Sequence, residues 1–258
     1  MQIGAMNNPQ HDVFDELRWI TAMKMDFIDL TLEPPAAAVW QVNLKELQKA
    51  LDDSGLGIVG HTAFYLPIAS PFEGVRQGAV AELRRCVDAF AQLGAKWVNF
   101  HPDRYAPMHD RTFYVQRDLQ SIGELLEHGR QVGVGLMVEN VPGDFNDAEQ
   151  LGELLDPLPE LGLHLDIGHC NLLVRENTAD ELLAAYGSRL RHVHLHDNKG
   201  GHHDLHLPLG TGNVDVPRYV RELKAVGYDS TITLEVFSPD RMFLQYSRDL
   251  LLRLWEEI

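Results

Sequence analysis

The chain has 258 residues, of which 45% are hydrophobic, with 22 Lys and Arg against 38 Asp and Glu and a formal net charge of −16 when histidine is neutral. That length fits one domain of ordinary globular composition, and the charge weighs against general nucleic-acid binding, because a duplex binder needs Lys and Arg to replace the counterions on phosphates; a local basic cleft or bound metal ions would offset it. No apolar run reaches the ~20 residues of a membrane helix, the start Met1-Gln2-Ile3-Gly4 lacks the basic and apolar segments of a secretory leader, and two cysteines without paired spacing, Cys86 and Cys170, suit a reducing compartment, so a cytoplasmic protein with no membrane partner is expected.

Strand-like and helical segments alternate along the chain. A first apolar run covers residues 3–6 and a second 27–32. Asn43 then stands as a cap before the helical Leu44-Lys45-Glu46-Leu47, and Gly55 ends that helix ahead of a third run, 57–61. The pattern of helix, glycine and short strand recurs at Gly94 with 97–101, Gly133 with 136–139, Gly162 with 163–166 and Gly227 with 231–235. Between the last two, Thr178 and Glu181 have capping-box spacing ahead of another helix, and 192–196 reads as a strand. Ser238-Pro239 predicts a cap and first-turn proline for a final helix over 240–255, with Leu244, Leu250, Leu251 and Leu254 on one stripe. Eight alternating units in this length predict a parallel sheet closed into a (β/α)8 TIM barrel, one domain over 1–258. The rival is an open doubly wound sheet, and no Gly-x-Gly-x-x-Gly follows the first run to support it.

Most of these runs end in a residue able to bind a metal. His61, His101, Glu139, Asp166, His194 and Glu235 lie at or near the ends of the third to eighth runs. In a barrel those ends meet at one rim, where active sites form. Carboxylates and imidazoles gathered there are costly to bury unless they are paired, hydrogen-bonded or bound to a cation. The two-residue period of a strand puts Thr231, Thr233 and Glu235 on one face, His164 with Asp166 on another, and His192, His194 and His196 on a third. Spacing alone does not choose among those three histidines. Two loops add donors, Asp166 with His169 and Asp204 with His206. Such a mixed nitrogen and oxygen set matches a catalytic zinc or manganese site. Other histidines have plainer readings: His11, His109 and His128 as surface residues, His164 as core filling, and His202 and His203 as loop residues. Cys170, beside His169, reads equally as a small core residue or a ligand.

At these residues the chain resembles the xylose isomerase-like TIM-barrel superfamily, which holds sugar isomerases and epimerases, inosose dehydratase-like enzymes and the endonuclease IV type of apurinic endonuclease. The similar stretches are Asn99-Phe100-His101-Pro102, Val138-Glu139-Asn140, Leu165-Asp166-Ile167-Gly168-His169, His192-Val193-His194-Leu195-His196-Asp197, Asp204-Leu205-His206-Leu207-Pro208-Leu209-Gly210-Thr211-Gly212 and Leu234-Glu235. They run in family order over residues 57–237. The resemblance implies four metal ligands, Glu139, Asp166, His194 and Glu235, with Glu139 and Glu235 also exchanging protons with a sugar carbon. For the endonuclease type it implies a larger, trinuclear zinc set that adds His61, His101, His169, Asp204 and His206.

The leading expectation is therefore a metal-dependent isomerase or epimerase acting on a sugar or sugar phosphate, with one Mn2+ or Zn2+ ion. His101, His169 and Lys199 would bind hydroxyls or a phosphate, and Glu33 and Asn7 would line the mouth. The alternatives are a phosphoesterase with up to three zinc ions, a related dehydratase-like lyase, and a non-catalytic sugar- or metal-binding barrel. The identity of the sugar and any homo-oligomer stay open at this point.

Overall fold

A computed structural model describes residues 1–104 and 107–258. Among them strands and helices alternate as β1 (Gln2–Met6), α1 (Val13–Ala22), β2 (Phe27–Thr31), α2 (Leu44–Ser54), β3 (Gly57–His61), α3 (Glu73–Gln92), β4 (Trp97–Phe100), α4 (Arg111–Val132), β5 (Gly135–Glu139), α5 (Ala148–Leu155), β6 (Gly162–Asp166), α6 (Ala179–Tyr186), β7 (Leu190–Leu195), α7 (Val216–Ala225), β8 (Thr231–Leu234) and α8 (Met242–Glu257). The strands follow one another in chain order around a closed barrel. Closure rules out the doubly wound alternative, which leaves two sheet edges. Among the described residues no helix is long and apolar enough to cross a membrane.

The chain falls into two compact units. The first to be described comprises Met6–Glu139 and Gly152–Gly162. Here β2 to β5 pair in parallel, with Thr31 opposite His61, His61 opposite Asn99 and Asn99 opposite Met137. The helices bury stripes at i, i+3 and i+4: Leu47 and Leu51 on α2, and Val80, Leu83, Val87 and Phe90 on α3. Fully burying a side chain of this size stabilises by about 1.5–3 kcal/mol relative to leaving it exposed. Inside, Phe27, Val59 and Met137 pack with Trp97 as a small apolar cluster. Asn43 caps α2 as expected, its Oδ1 accepting from the Glu46 N–H at 3.4 Å. At the other end Gly55 takes φ +70°, the left-handed conformation that glycine adopts without a Cβ penalty. Replacing Asn43 by alanine is expected to cost about 1 kcal/mol, read in thermal unfolding as a fall of about 2–4 °C.

The second unit comprises Met1–Ala5, Asn140–Leu151 and Leu163–Ile258. Its strands β6, β7, β8 and β1 are parallel neighbours, with Asp166 opposite His194 and His194 opposite Thr233. Its helices bury Leu182 and Leu183 on α6, Tyr219, Val220 and Leu223 on α7, and Leu244 and Leu251 on α8.

Three local expectations are corrected. Thr178 makes no capping bond to α6, because its hydroxyl donates to the Asn146 carbonyl at 2.5 Å. The final helix starts at Met242, whose N–H is taken by Asp240 at 2.9 Å, so Ser238-Pro239 lies outside it. Gly162 does not end a helix: α5 stops at Leu155 and Gly162 is the first residue of β6. At Thr178 a tertiary contact, and at the final helix the Asp240 carboxylate, outcompetes the local sequence signal.

Candidate metal centre

In the unit that holds β2 to β5, strand register brings the donors together. His61, Asn99 and Met137 share one level, and His101 and Glu139 lie two residues beyond Asn99 and Met137 along the chain. Glu139 is 1% exposed. Its Oε2 accepts from Asn99 Nδ2 at 2.6 Å and stands 3.0 Å from His101 Nε2 and 3.6 Å from His61 Nε2. Donor atoms of His61, His101 and Glu139 all fall within 4.8 Å of one another. The buried carboxylate accepts the Asn99 amide N–H and faces two imidazole nitrogens, which offsets part of its desolvation.

The unit that holds β6 to β8 and β1 carries a denser set. Asp166 and His194 are fully buried, and Glu235 is 8% exposed. His194 Nδ1 lies 3.2 Å from Glu235 Oε2 and 3.8 Å from Asp166 Oδ2. Asp204 Oδ2 is 3.1 Å from His169 Nε2 and 3.0 Å from His206 Nε2. His196 Nε2 sits 3.3 Å from Asp166 Oδ1. Three of these rings are oriented from behind. The Nδ1–H of His169 donates to the Asn140 carbonyl at 3.0 Å, that of His206 to the Glu235 carbonyl at 3.1 Å, and that of His196 to the Asp197 carbonyl at 3.4 Å. This fixes their tautomers and aims each Nε2 at the carboxylates, the arrangement that metal-binding histidines use.

The donor set fits a divalent cation. Ligand atoms about 2.0–2.2 Å from one zinc ion are separated by about 3–3.5 Å, and the contacts just given cluster at that spacing. Glu235 Oε2 and His196 Nε2 are buried and make no hydrogen bond among the described residues, although ring nitrogens and carboxylates stand beside them. Asp204 and His206 interact electrostatically. Burial opposes charge on both, but the flanking imidazoles hold the Asp204 carboxyl well below the usual range. Glu235 and Asp204 in turn outweigh burial at His206 and lift it to about 9. A cation taking this position would displace the His206 proton. His206 also adopts φ 44°, a left-handed conformation that histidine, like asparagine and aspartate, takes more often than other residues with a Cβ.

Asparagines that the sequence reading passed over do much of the positioning. Asn140 Oδ1 accepts the Asp166 N–H at 2.7 Å while its Nδ2 donates to the Asp166 carbonyl at 3.0 Å and to Asn146 Oδ1 at 3.0 Å. Asn99 holds Glu139 directly. The signal was present: a polar Asn99 inside an apolar run, and Asn140 immediately after Glu139. Asn7, expected at the mouth, is 3% exposed and is engaged by the backbone of Thr31, through Oδ1 at 2.7 Å and Nδ2 at 3.2 Å. Its amide therefore serves strand β2. Glu33 is partly buried, while Lys199, His202 and His203 are exposed. His164 is fully buried, its ring 4.0 Å from that of His194. His11 and His109 are exposed and His128 is half-buried. Burial pushes the Cys86 thiol up to about 12 and the Cys170 thiol higher still, so both stay protonated core residues.

Gly168 makes the close approach at this site possible. A Cβ there would lie 2.2 Å from His196 Cε1 and Nε2. Gly168→Ala is expected to displace the His196 ring and weaken metal binding about tenfold, the lower end of the range for residues that orient ligands. Competitive titration with a metal indicator measures it.

The model of the xylose isomerase-like TIM barrel matches residues 17–253. The chain belongs to this family. Relatives of this xylose isomerase-like barrel include an L-ribulose 3-epimerase from Methylomonas sp. strain DH-1, 35% identical over 229 residues that span 83% of this chain and 75% of the relative. A probable endonuclease 4 from Petrotoga mobilis is 24% identical over 204 residues, 68% of this chain and 71% of the relative. Among solved structures, a D-tagatose 3-epimerase-like protein superposes on the xylose isomerase-like barrel with a TM-score of 0.89 at 25% identity, covering 100% of this chain and 98% of that one.

Proposed function

We propose that this chain is a divalent-metal-dependent epimerase or isomerase that moves a proton on a free or phosphorylated sugar. The carrying observation is the carboxylate, imidazole and carboxylate of Asp166, His194 and Glu235, spaced 3.8 and 3.2 Å apart at buried strand ends. Glu139 ends β5, the strand before β6 in the closed order, and supplies the second glutamate. Parallel strands in a closed barrel end at one rim. Relatives named as epimerases support the same reaction class.

On this reading Asp166 and His194 hold the ion, with Glu139 and Glu235 as further ligands. A bound divalent ion acts as a Lewis acid, polarising a carbonyl oxygen and acidifying the neighbouring C–H. One glutamate, ionised, takes the proton from that carbon, and the electron pair left behind flows onto the carbonyl oxygen. The other glutamate, protonated, returns a proton to the opposite face of that carbon; in an isomerisation it would go to the former carbonyl carbon while the neighbouring hydroxyl proton passes to the former carbonyl oxygen. Asn99 keeps the Glu139 carboxylate aimed, and His101, His169 and Lys199 bind substrate hydroxyls. The test is exchange: metal-loaded protein in D2O should introduce deuterium at the carbon beside the carbonyl of a ketose in a broad panel. A protein that exchanges no ketose and cleaves abasic-site DNA would overturn the proposal.

The grouping of His169, Asp204 and His206 favours a second reading, a phosphoesterase with up to three zinc ions resembling endonuclease IV. The net charge of −16 weighs against its duplex substrate. Metal content separates the two, one ion per chain for the epimerase and three for the phosphoesterase.

A further inference from the structure

Asp197 lies just past the end of β7 and is fully buried. A carboxylate in that position needs donors, and three backbone N–H groups supply them. Its Oδ1 accepts from Asn198 at 2.9 Å and from Val214 at 3.0 Å, and its Oδ2 accepts from Gly212 at 2.8 Å. The backbone of the same residue is paired as well. Its N–H donates to the Leu207 carbonyl at 3.0 Å, and its carbonyl accepts from the Leu207 N–H at 2.7 Å.

One residue therefore ties together two turns of the segment between β7 and α7. Its backbone closes residues 198–206, and its side chain draws in 208–214. The first turn holds no helix or strand and passes through positive φ at Gly200, Gly201 and His206. It carries Asp204 and His206, and His206 directly precedes the paired Leu207. His206 Nδ1 lies 3.5 Å from Glu235 Oε2, and donor atoms of His196, His206 and Glu235 fall within 4.8 Å of one another. The second turn comes so close that glycine alone fits: a Cβ at Gly212 would collide with the Asn198 carbonyl oxygen and with Asp197 Oδ1. Asn198 extends the tie toward His169, its Nδ2 donating to the Gly168 carbonyl at 2.8 Å. Both oxygens of residue 197 must accept. An ionised carboxylate does so, whereas asparagine would turn its NH2 toward one of the three N–H groups.

We infer that Asp197 is a positioning residue of the metal centre, which holds Asp204 and His206 in place before an ion arrives. The inference rests on the metal-centre reading. An ion that meets donors already fixed does not have to order the loop that carries them, and that saving appears as affinity. Residues that orient ligands from behind are typically worth about 10–100-fold in metal affinity. A residue that only staples the loop would change its mobility and leave the ion untouched.

The test is titration of Co2+ into metal-free wild type, Asp197→Asn, Gly212→Ala and His206→Ala, followed by the visible d–d bands, which report coordination. Asp197→Asn and Gly212→Ala, with native circular dichroism, should bind Co2+ at least tenfold more weakly than wild type. Their bands should shift in the same direction as those of His206→Ala, which lacks the donor outright. In the wild type, amide hydrogen exchange read by NMR should find Gly212 and Val214 among the slowest residues of 198–214, and exchange there should quicken in Asp197→Asn. Fast exchange of those two amides in the wild type would show that the tie does not form and would overturn the inference even if neither variant folds. Wild-type Co2+ affinity and bands in both variants would overturn it too, leaving Asp197 a staple. A wild type that binds no Co2+ sinks the metal centre itself, a result distinct from intact binding that the variants leave unchanged.

Discussion

Glu235→Gln should lose at least ~100-fold in turnover, about 2.7 kcal/mol of transition-state stabilisation, while keeping its metal. The amide preserves the shape of the side chain and still offers an oxygen toward His194 Nδ1, which lies 3.2 Å from Glu235 Oε2 in the native protein. What it loses is the ability to take or give a proton at neutral pH. Metal loss would mimic this result, so metal content has to be measured in the same sample. The wild type should exchange a carbon-bound hydrogen of its ketose with deuterated water, and the fully loaded variant should not. Wild-type turnover by that variant would make Glu235 a ligand only and end the proposed acid/base pair.

Metal removal should lower the melting temperature by on the order of 10 °C. The carboxylates of Asp166 and Glu235 sit in positions 0% and 8% exposed. A divalent ion held there would offset that desolvation and bind only the folded arrangement. At a free ion concentration 1,000 times its dissociation constant the linkage gain is about 4 kcal/mol, which for a chain of this size corresponds to about 8–16 °C. Thermal scans with a chelator, then with excess Mn2+ or Zn2+, read the shift directly. Asp166→Ala should abolish most of it. Equal melting temperatures with and without the ion would show that these residues do not hold one.

Much of this architecture is legible in the chain because its signals are periodic. The strands are short apolar runs with donors at their ends, and five of the eight begin shortly after a glycine. His61, His101, Glu139, Asp166, His194 and Glu235 share strand-end positions, so finding the strands finds them. Asp204 and His206 are visible as a spaced pair in a loop and within a stretch similar to the family. What escaped depends on distance across the fold. Nothing in the local sequence says that Asn7 clasps Thr31, that Asn140 clasps Asp166, or that the Thr178 hydroxyl turns to Asn146 instead of capping its own helix.

Asn140 has a consequence for how this protein can change over generations. One side chain secures both backbone groups of Asp166, and its own carbonyl sets the tautomer of His169, which in turn faces Asp204. Substitutions along this chain of contacts will not add, because residues in one hydrogen-bond network couple by about 0.5–3 kcal/mol. A lineage drifting from one ion to several, or the reverse, cannot exchange these donors singly without passing through variants whose remaining donors are misaimed. Lys199 makes none of these contacts, although its loop also carries Asp204, so a side chain at that position is free to diverge while the donors stay fixed.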